Sequence, residues 1–445
     1  MSKPLFLQIH TLTSYPAVLL NRDDVGFAKR LPFGGATRTR ISSQCLKRHW
    51  RSFDGEQSLA SIAEGTGFEL SVRSRQTFER FVVAPLLARG VDAALARAAT
   101  EAIMIAVLGE SAKAKKSKED AKTEDPEAKA KRAKGAKKDA EASLFSLGDD
   151  EAKKAKGAKK EAGDGEAKLH TGQITVLGRP ELEFFTAEAA ALAADAGSAD
   201  KVGEAAKRRF TKDWGKNLDG LRRAAGLDAA LFGRMVTSDK LARADAAIHV
   251  AHAFTVHAEH TETDYFSAVD DLLKDGEDGE LGSGHIGTTE LTSGLFYGYV
   301  VVDVAQLVSN LEGGSAKKWR EQDRKLAAQV AESMVHLMAR VSPGAKKGST
   351  APYAAPHLTL VEAGASQPRT LANAFLAPVK AQPDLVANTY DALAGYVTDT
   401  DQVFAPGLRR AYAAIGGKER LARLGASVPL ADVARFAASA VLEGA

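Results

Sequence analysis

Hydrophobic positions along the chain repeat with two different periods, and each period predicts a different element. A period of two, typical of strands, runs through Leu5, Leu7 and Ile9 and returns over Ala246–Val256. Val and aromatic residues dominate Leu295–Val304, which predicts a second strong strand, and a short strand is predicted over residues 358–361. The chain therefore contains strands that lie far apart in the sequence.

Helical periodicity fills most of the remaining sequence. It extends over Ser58–Leu108, resumes over Leu182–Phe232 and predicts a further helix at Lys325–Arg340, followed by several Ala-rich helices. Residues 258–294, between two predicted strands, are polar and rich in glycine. We interpret this segment as a long excursion from a sheet.

The composition changes abruptly at Ser111–Lys168, which consists almost entirely of Ala, Lys, Glu, Asp and Gly. The near-copies AKGAKKDAEA and AKGAKKEAGD form a small internal repeat. Because this segment has too few apolar side chains to build a core, a disordered insertion is the favoured interpretation. A solvated charged helix and an auxiliary basic arm for nucleic acid stay open as alternatives.

A basic run at Asn21–Arg51 is the most informative local pattern, with eight Lys or Arg against two Asp. Within it, Thr37–Ile41 alternates like a strand. Gly34 and Gly35 precede that strand and would allow the backbone to approach a ligand closely. Together these features predict a strand-to-helix corner with a basic rim.

The helix predicted after this strand has two distinct faces. Ser42 or Ser43 can cap it, and Leu46 and Trp50 share the side that would pack on a core. The polar face holds Gln44, Lys47, Arg48 and Arg51. A surface for a phosphate backbone and a solvated amphipathic helix after a glycine turn explain this pattern equally well.

Composition narrows the class of protein. The chain has 445 residues, enough for two or three domains, and its one cysteine, Cys45, excludes an internal disulfide. The first ten residues lack a signal-peptide pattern, and no stretch of about 18 uninterrupted apolar residues occurs. We therefore expect a soluble, cytoplasmic protein without a membrane segment.

The distribution of charge is more useful than its total. Net charge is +3, and residues 111–168 contribute +4, from 17 Lys or Arg against 13 Asp or Glu, so the rest of the chain sums to −1. Any nucleic-acid binding by the folded part must therefore depend on local stripes, such as the basic run, and not on an overall cationic surface.

Patterns that could carry chemistry are weak. Gly282–Gly287 has the glycine spacing of a dinucleotide fingerprint, but an acidic loop precedes it, so we expect a flexible loop instead. Four nearby histidines would lie far apart or on different faces of a strand, which argues against a metal site. They are His249, His252, His257 and His260. We expect no enzyme, no metal and no cofactor.

Several ordered motifs resemble one protein family. LNRDD, FGG and RTRISSQCLKR, all in the basic run, resemble the N-terminal signature of the CasC-type backbone subunits of Cascade, the type I-E CRISPR effector. These subunits belong to the Cas-seven family of guide-RNA-binding proteins. Motifs over most of the chain are also similar to this family, namely GRMVTSDKL, AIHVAHAFTVH, DYFSAVDDL, GSGHIGTTELTSGLFYGY, PGAKKGSTAPYAA and LANAF.

The resemblance implies an α+β fold shaped like a right hand, with an RRM-like (ferredoxin-like) palm sheet, helical fingers and a thumb. The implied divisions are residues 1–52 for the first part of the palm, 53–232 for the fingers with the 111–168 insertion, 233–257 for a palm strand, 258–294 for the thumb, and 295–445 for the second part of the palm and the C-terminal helices. In this family, copies stack head to tail along the CRISPR guide RNA, join other Cascade subunits and present the spacer for pairing with target DNA in antiviral defence.

Site residues follow from the same motifs. The residues expected to hold the RNA backbone are Arg22, Lys29, Arg40, Ser42, Ser43, Gln44, Lys47, Arg48 and Arg51. Met235 would press against a base, while Tyr265, Phe266 and His285 in the thumb would help to splay a nucleotide out of the stack. Arg38, Lys346 and Lys347 are further candidates.

Two other functions stay open at this point. In type III relatives a thumb aspartate cuts target RNA, and Asp270 or Asp271 could play that part here. The chain could also be a free-standing RNA-binding module outside any CRISPR complex.

Overall fold

The computed structural model describes residues 5–109, 169–210, 214, 225–234, 245–269 and 283–444. Its strands are β1 (Phe6–Val18), β2 (Arg30–Phe33), β3 (Ala36–Ile41), β4 (Val72–Ser74), β5 (Thr175–Leu177), β6 (Ile248–Val250), β7 (Ala253–Thr255), β8 (Thr261–Val269), β9 (Ser283–Asp303), β10 (Leu358–Gly364) and β11 (Arg409–Ala414). Its α-helices are α1 (Ser43–Arg51), α2 (Leu59–Glu64), α3 (Ala84–Ala88), α4 (Ala93–Leu108), α5 (Arg179–Ala196), α6 (Val202–Arg209), α7 (Leu227–Phe232), α8 (Val304–Glu312), α9 (Lys325–Arg340), α10 (Lys347–Thr350), α11 (Leu385–Phe404) and α12 (Leu430–Glu443). The fold therefore mixes α-helices with antiparallel sheet.

The chain divides into two units. The smaller unit comprises residues 73–175 and 182–211. It is largely helical, and its core includes the buried side chains of Phe78, Leu86 and Phe185. The low-complexity segment, residues 111–168, lies outside the described residues. The division of the chain into palm, fingers and thumb stays a prediction.

The larger unit comprises residues 1–72, 176–181 and 212–445 and contains the main sheet. The strand order is β11-β10-β1-β9-β7-β3-β2, and β6 and β8 also pair with β9. All of these pairings are antiparallel. The predicted first strand is confirmed and extends to Val18, with Ile9 opposite both Val300 and Val361.

One face of the sheet packs against helices α9 and α12. Leu7 and Ile9 of β1 and Val300 of β9 are fully buried there, together with apolar residues of both helices. Helix α9 has the bounds that the helical period predicts, and its buried positions include Val330 and Met334. Fully burying an aliphatic side chain contributes roughly 1.5–3 kcal/mol, so this face stabilises the sheet strongly.

Helix α11 covers the opposite face of the sheet. Leu12, Tyr297 and Leu360 pack against Leu393 and Val397 of this helix, and all five side chains are buried. The aromatic side chains on this face are therefore part of the core.

A buried polar cluster lies on the second face beside these apolar residues. His10 Nδ1 lies 2.9 Å from the Tyr297 hydroxyl, and His10 Nε2 lies 3.4 Å from a carboxylate oxygen of the fully buried Glu362. Arg410 donates both to Glu362 and to Asp401. The Glu362 carboxylate is thus paired, as a buried charge must be.

The predicted strand at Ala246–Val256 is instead two short strands, β6 and β7, which pair with β9 in different registers. Val250 lies opposite Val300, whereas Phe254 lies opposite Tyr297. Phe254 follows Val250 by four positions, whereas their partners on β9 are only three positions apart. One extra residue is therefore accommodated between β6 and β7, as in a β-bulge. His252 is exposed there, and not on the inner side as a period of two would place it.

Strands β8 and β9 form a hairpin whose register runs from Thr261 opposite Thr292 to Ala268 opposite His285. Residues 270–282 lie outside the described residues. β9 continues from the hairpin into the main sheet, so the strand predicted to begin at Leu295 begins at Ser283. The expected loop at Gly282–Gly287 is therefore wrong for residues 283–287, which are in a strand. Within the described ranges, no helix is long and apolar enough to cross a membrane.

Candidate nucleic-acid interface

Helix α1 begins where β3 ends, and its cap is the predicted one. Ser42 Oγ accepts a hydrogen bond from the Cys45 N–H at 3.3 Å, and the Ser42 N–H donates to Asn21 Oδ1 at 2.9 Å. Both groups of Ser42 are therefore engaged, and Ser42 and Ser43 are buried. These serines fix the start of the helix and do not present free hydroxyls.

The two faces of α1 are also as predicted. Trp50 is buried in the core of the larger unit, and Leu46 packs against it. Gln44 and Arg48 are exposed, whereas Lys47 and Arg51 are half-buried. The helix thus anchors one side in the core and presents polar and cationic groups on the other.

The loop before β2 is held by its own acidic residue. Asp23 Oδ1 accepts hydrogen bonds from the backbone N–H groups of Val25 and Phe27, at 3.1 and 2.8 Å. The backbone of Arg22 forms a bridge with Ala28, and Arg22 is exposed. Asp23 therefore shapes the turn that carries Arg22.

Arg30 and Arg38 of the basic run contact other parts of the protein. Arg30 forms ion pairs with Glu259 and Glu290, and the other Glu290 oxygen accepts from the Ala28 N–H at 2.7 Å. Arg38 is fully buried, and its guanidinium donates to the carbonyls of Phe33, Thr255, Phe375 and Leu376.

Burial lowers the pKa of Arg38 from its ordinary value, while the four carbonyls satisfy its donors. RNA cannot reach a side chain with no exposed surface. The expectation that Arg38 contacts RNA is therefore wrong, and this residue instead joins β3 to the segment at Phe375.

The close backbone approach expected at the glycine pair occurs within the protein itself. Gly34 has a φ of +61°, and a Cβ at this position would lie 1.4 Å from the Leu376 carbonyl oxygen. Gly35 has a φ of +78° and open space around it. Gly34 is needed for packing against Leu376, and not for a ligand.

The other cations of the run are Arg22, Lys29, Arg40, Lys47, Arg48 and Arg51, of which Arg40 also donates to the Arg30 carbonyl at 3.1 Å. Cations that influence the pKa of the same side chain must lie near each other. The charges of Lys29, Arg40 and Lys47 all lower the pKa of His252. The charges of Lys29, Arg48 and Lys347 all lower the pKa of the Cys45 thiol, although Lys347 comes from a distant part of the chain. We call Lys29, Arg40, Lys47, Arg48 and Lys347 the basic surface.

Cys45 and His49 lie close to the basic surface, and its positive charges lower the pKa of both side chains. Burial raises the pKa of the Cys45 thiol to about 11, although Arg48, Lys29 and Lys347 oppose this rise. Burial also lowers the pKa of His49, and Lys347 and Arg48 lower it further. His49 Nδ1 lies 2.8 Å from the Cys45 carbonyl oxygen. Both side chains are therefore packing groups that are neutral at pH 7.

Lys346 and Lys347 are neighbours in sequence but differ in their surroundings. The Lys346 ammonium donates to Thr289 Oγ1 at 2.6 Å and lies 5.6 Å from the centre of the Phe266 ring. Lys347 is exposed and belongs to the basic surface. Of this pair, Lys347 is the one available to an anion, and Lys346 holds the β8–β9 hairpin.

The hairpin carries the predicted aromatic residues. Tyr265 is 63% exposed and Phe266 39% exposed. Phe266 lies opposite Gly287, where a Cβ would come within 2.5 Å of its ring, so the ring covers this glycine. His285 is in β9 opposite Ala268. Met235, Asp270 and Asp271 lie outside the described residues.

Of the four histidines near residue 250, His249 and His252 contact different residues, whereas the rings of His257 and His260 lie near each other. His249 Nε2 lies 3.0 Å from the Ala246 carbonyl oxygen, and the ring of His252 contacts Arg40. His257 is buried, and its ring lies 5.2 Å from that of His260. Among the described residues, no group of three or more His, Cys, Asp or Glu could hold a metal ion.

Sequence reasoning did not single out His252 as part of this surface. Its contact with Arg40 depends on the bulge between β6 and β7, which the hydrophobic period does not reveal. Lys347 was already a candidate from its motif, but no local signal places it near α1, because the two segments are about 300 residues apart in the chain.

The antiparallel sheet and the basic surface near α1 can now be compared with known protein families. The family model of the CRISPR-associated CT1975-like proteins matches residues 7–433, which is nearly the whole chain. The chain belongs to this family and is a protein of the Cas-seven type. A search of the curated proteins finds no match.

Solved structures extend the comparison. A chain of a structure described as "CRISPR RNA-guided surveillance complex, pre-nicking" is 25% identical, with a TM-score of 0.66, and the match covers 98% of this chain and 100% of that one. A chain of a structure described as "CRISPR RNA-guided surveillance complex" is 21% identical, with a TM-score of 0.59. This match covers 98% of this chain and 99% of that one. The second likeness shows the fold alone.

Proposed function

We propose that this protein is the guide-RNA-binding backbone subunit of a type I-E Cascade. Copies would stack head to tail along the spacer of the CRISPR RNA in the cytoplasm, join other Cascade subunits and present the guide for pairing with target DNA. The likeness to chains of RNA-guided surveillance complexes supports this proposal, as do the family-like motifs along the chain.

The convergence of the basic surface is the observation that carries the proposal. Lys29 and Arg48 of the N-terminal run and the distant Lys347 all lie close enough to Cys45 to influence its thiol, and the Asp23 carboxylate accepts hydrogen bonds from its own loop. Cationic side chains grip a phosphate backbone without identifying bases. A subunit that must accept any spacer needs this kind of contact, since the base edges must stay free for pairing.

The strand order supports an RRM-like palm. Numbered in chain order, the four central elements are β1, the β6–β7 pair, β9 and β10, and their order across the sheet is fourth, first, third, second. This is the order of a ferredoxin-like sheet, with helices in the crossovers. Because α11 covers the aromatic face, we place the RNA at the end of α1 and not on the face of the sheet.

The hairpin supplies the second part of the proposed interface. Tyr265 and Phe266 offer exposed rings on which unpaired bases can stack, whatever their sequence. In a head-to-tail filament, such a hairpin would reach the RNA segment held by the neighbouring copy. A heterologous interface of this kind repeats along the RNA without closing.

We propose no catalytic step for this chain. Its part is to hold the guide, and cleavage would belong to another subunit. Target cutting by Asp270 or Asp271 is the competing function. It predicts metal-dependent cleavage of RNA complementary to the guide, and a purified complex can be assayed directly for this activity.

The decisive experiment is to express the full chain with its genomic neighbours, purify it and sequence the RNA that comes with it. We expect short RNA of uniform length that contains repeat-derived ends and varied spacers. A double variant, Lys47→Ala with Arg48→Ala, should lose this RNA, whereas Lys318→Ala with Arg435→Ala, at exposed positions outside the run, should keep it. RNA of random length and origin would favour a free-standing RNA-binding module.

A further inference from the structure

His252 occupies the bulge between β6 and β7, where its ring is exposed and directed to β3. Its Nδ1 lies 3.0 Å from Nη1 of Arg40. A guanidinium can only donate hydrogen bonds, so Nδ1 must accept one. The imidazole is therefore neutral in this arrangement, and its proton is on Nε2.

The charged groups that face His252 come from two neighbouring elements and the loop before β2. Arg40 comes from β3, Lys47 from α1, and Lys29 from the loop. Burial lowers the pKa of His252 from its ordinary value, and these three cations lower it further. A neutral, exposed ring is thus held beside three cations of the basic surface, with its Nε2–H as a donor.

We propose that His252 is a ligand for an RNA phosphate and takes up a proton from solvent when the RNA binds. This inference rests on the proposed function and adds to it a residue and a proton. The phosphate accepts the Nε2–H bond, and its negative charge offsets the cations that kept the ring neutral. Nδ1 then gains a proton, so the ring becomes an imidazolium with two donors.

Protonation also changes the role of Arg40. Once Nδ1 carries a proton, the ring and the guanidinium are both donors, and their mutual hydrogen bond must break. Arg40 Nη1 is then free to donate to the same phosphodiester. The pair therefore changes from bonding to each other to bonding the RNA together, with a net uptake of one proton.

The direction of the pH dependence follows from linkage. RNA raises the pKa of His252 in the complex above its value in the free protein, so affinity is greater at low pH. The gain is fully present below the pKa of the free protein and is lost as pH rises through the pKa of the complex. A shift of one pKa unit corresponds to about a tenfold change in affinity.

The test uses the full chain and a mixed-sequence single-stranded RNA oligonucleotide at constant salt. We expect affinity about three- to tenfold higher at pH 6 than at pH 8. Calorimetry near pH 6.5, in buffers with different ionisation enthalpies, should report net proton uptake. His252→Gln keeps a neutral donor but cannot be protonated in this range, so it should abolish most of this uptake.

Two matched variants control for the other histidines. His249→Gln changes an exposed histidine of the adjacent strand, and His49→Gln changes one that faces Arg48 and Lys347, so both should keep the uptake. If RNA binds with no proton uptake, or if His252→Gln keeps the wild-type uptake, the proposal for His252 is overturned while the RNA-binding function stands. If RNA does not bind at any pH, the proposed function fails as well.

Discussion

The ammonium of Lys346 lies 5.6 Å from the centre of the Phe266 ring and donates a hydrogen bond to Thr289 on the facing strand of the hairpin. A cation over an aromatic ring contributes about 0.5–2 kcal/mol, depending on its exposure. Lys346 therefore positions the hairpin aromatic, whereas its neighbour Lys347 is part of the basic surface. Adjacent lysines thus have different surroundings.

This contrast predicts different effects for the two alanine variants. Lys347→Ala should weaken RNA binding and reduce the slope of log affinity against log salt by about 0.7–1, because one phosphate contact is lost. Lys346→Ala should also weaken binding, through a loosened Phe266, but leave the slope unchanged. Binding isotherms at several salt concentrations measure both quantities, and equal slope changes would contradict the positioning role.

Lys47→Ala should weaken RNA binding to the same extent for unrelated spacers. Its ammonium adds to the field of the basic surface without access to base identity, so the salt slope should fall by roughly one. Lys318→Ala, an exposed cation outside the run, serves as the control and should have no effect. A defect confined to one spacer would show that Lys47 contacts bases.

Phe266→Ala should lower RNA affinity by about 1–3 kcal/mol if the ring stacks on a base. Phe266→Trp should restore binding, because any flat aromatic ring can stack. Phe404→Ala removes another exposed phenylalanine, at the end of α11, and should bind as the wild type does. If Phe266→Ala lowers thermal stability but leaves affinity unchanged, the ring only covers Gly287.

Gly34→Ala and Gly35→Ala should differ sharply in stability. Both have positive φ, which costs a side-chain-bearing residue about 1–2 kcal/mol. Only Gly34 also lies against a carbonyl, that of Leu376, so its variant should cost at least about 2 kcal/mol more. Chemical denaturation measures both free energies of unfolding, and equal losses would mean that the Leu376 segment moves freely.

Glu362 should make the larger unit sensitive to acid. Burial alone raises the pKa of this carboxyl, but His10 and Arg410 outweigh burial and hold the pKa at about 2, below its ordinary value of 4.5. The resulting stabilisation, on the order of 3 kcal/mol, is present above pH 4.5 and is lost as pH falls towards 2.

Unfolding free energies measured between pH 6 and pH 2.5 test this prediction for Glu362. Glu362→Gln should be destabilised at pH 6 and should lose less stability on acidification than the wild type. Glu321→Gln, which changes an exposed carboxylate, should follow the wild-type curve. Parallel curves for all three proteins would show that Glu362 does not dominate the acid response.

Local sequence patterns predicted the elements in which apolar positions repeat regularly. The strand at Leu5, Leu7 and Ile9 and the helix Lys325–Arg340 are examples, since each buries one regular set of apolar positions. The cap at Ser42 is another, because it depends only on residues within one turn. These features need no knowledge of distant contacts.

Features that depend on distant partners could not be predicted in this way. Arg38 is of a residue type that commonly binds RNA, but the carbonyls of Thr255 and Phe375, to which its guanidinium donates, come from elsewhere in the chain. Gly34 belongs to a glycine pair of the kind that lets a backbone approach a ligand, yet it packs on Leu376. The bulge beside His252 is a mismatch in register between strands, which a single strand does not encode.

Glu290 has a consequence for how the chain matures. One of its oxygens accepts from the Ala28 N–H, 262 residues earlier in the sequence, and the other pairs with Arg30. At typical synthesis rates of about 5–20 residues per second, the N-terminal loop waits on the order of ten seconds or more for this carboxylate. The loop therefore reaches its final form only late in translation, so a nascent chain that stops before Glu290 cannot complete it.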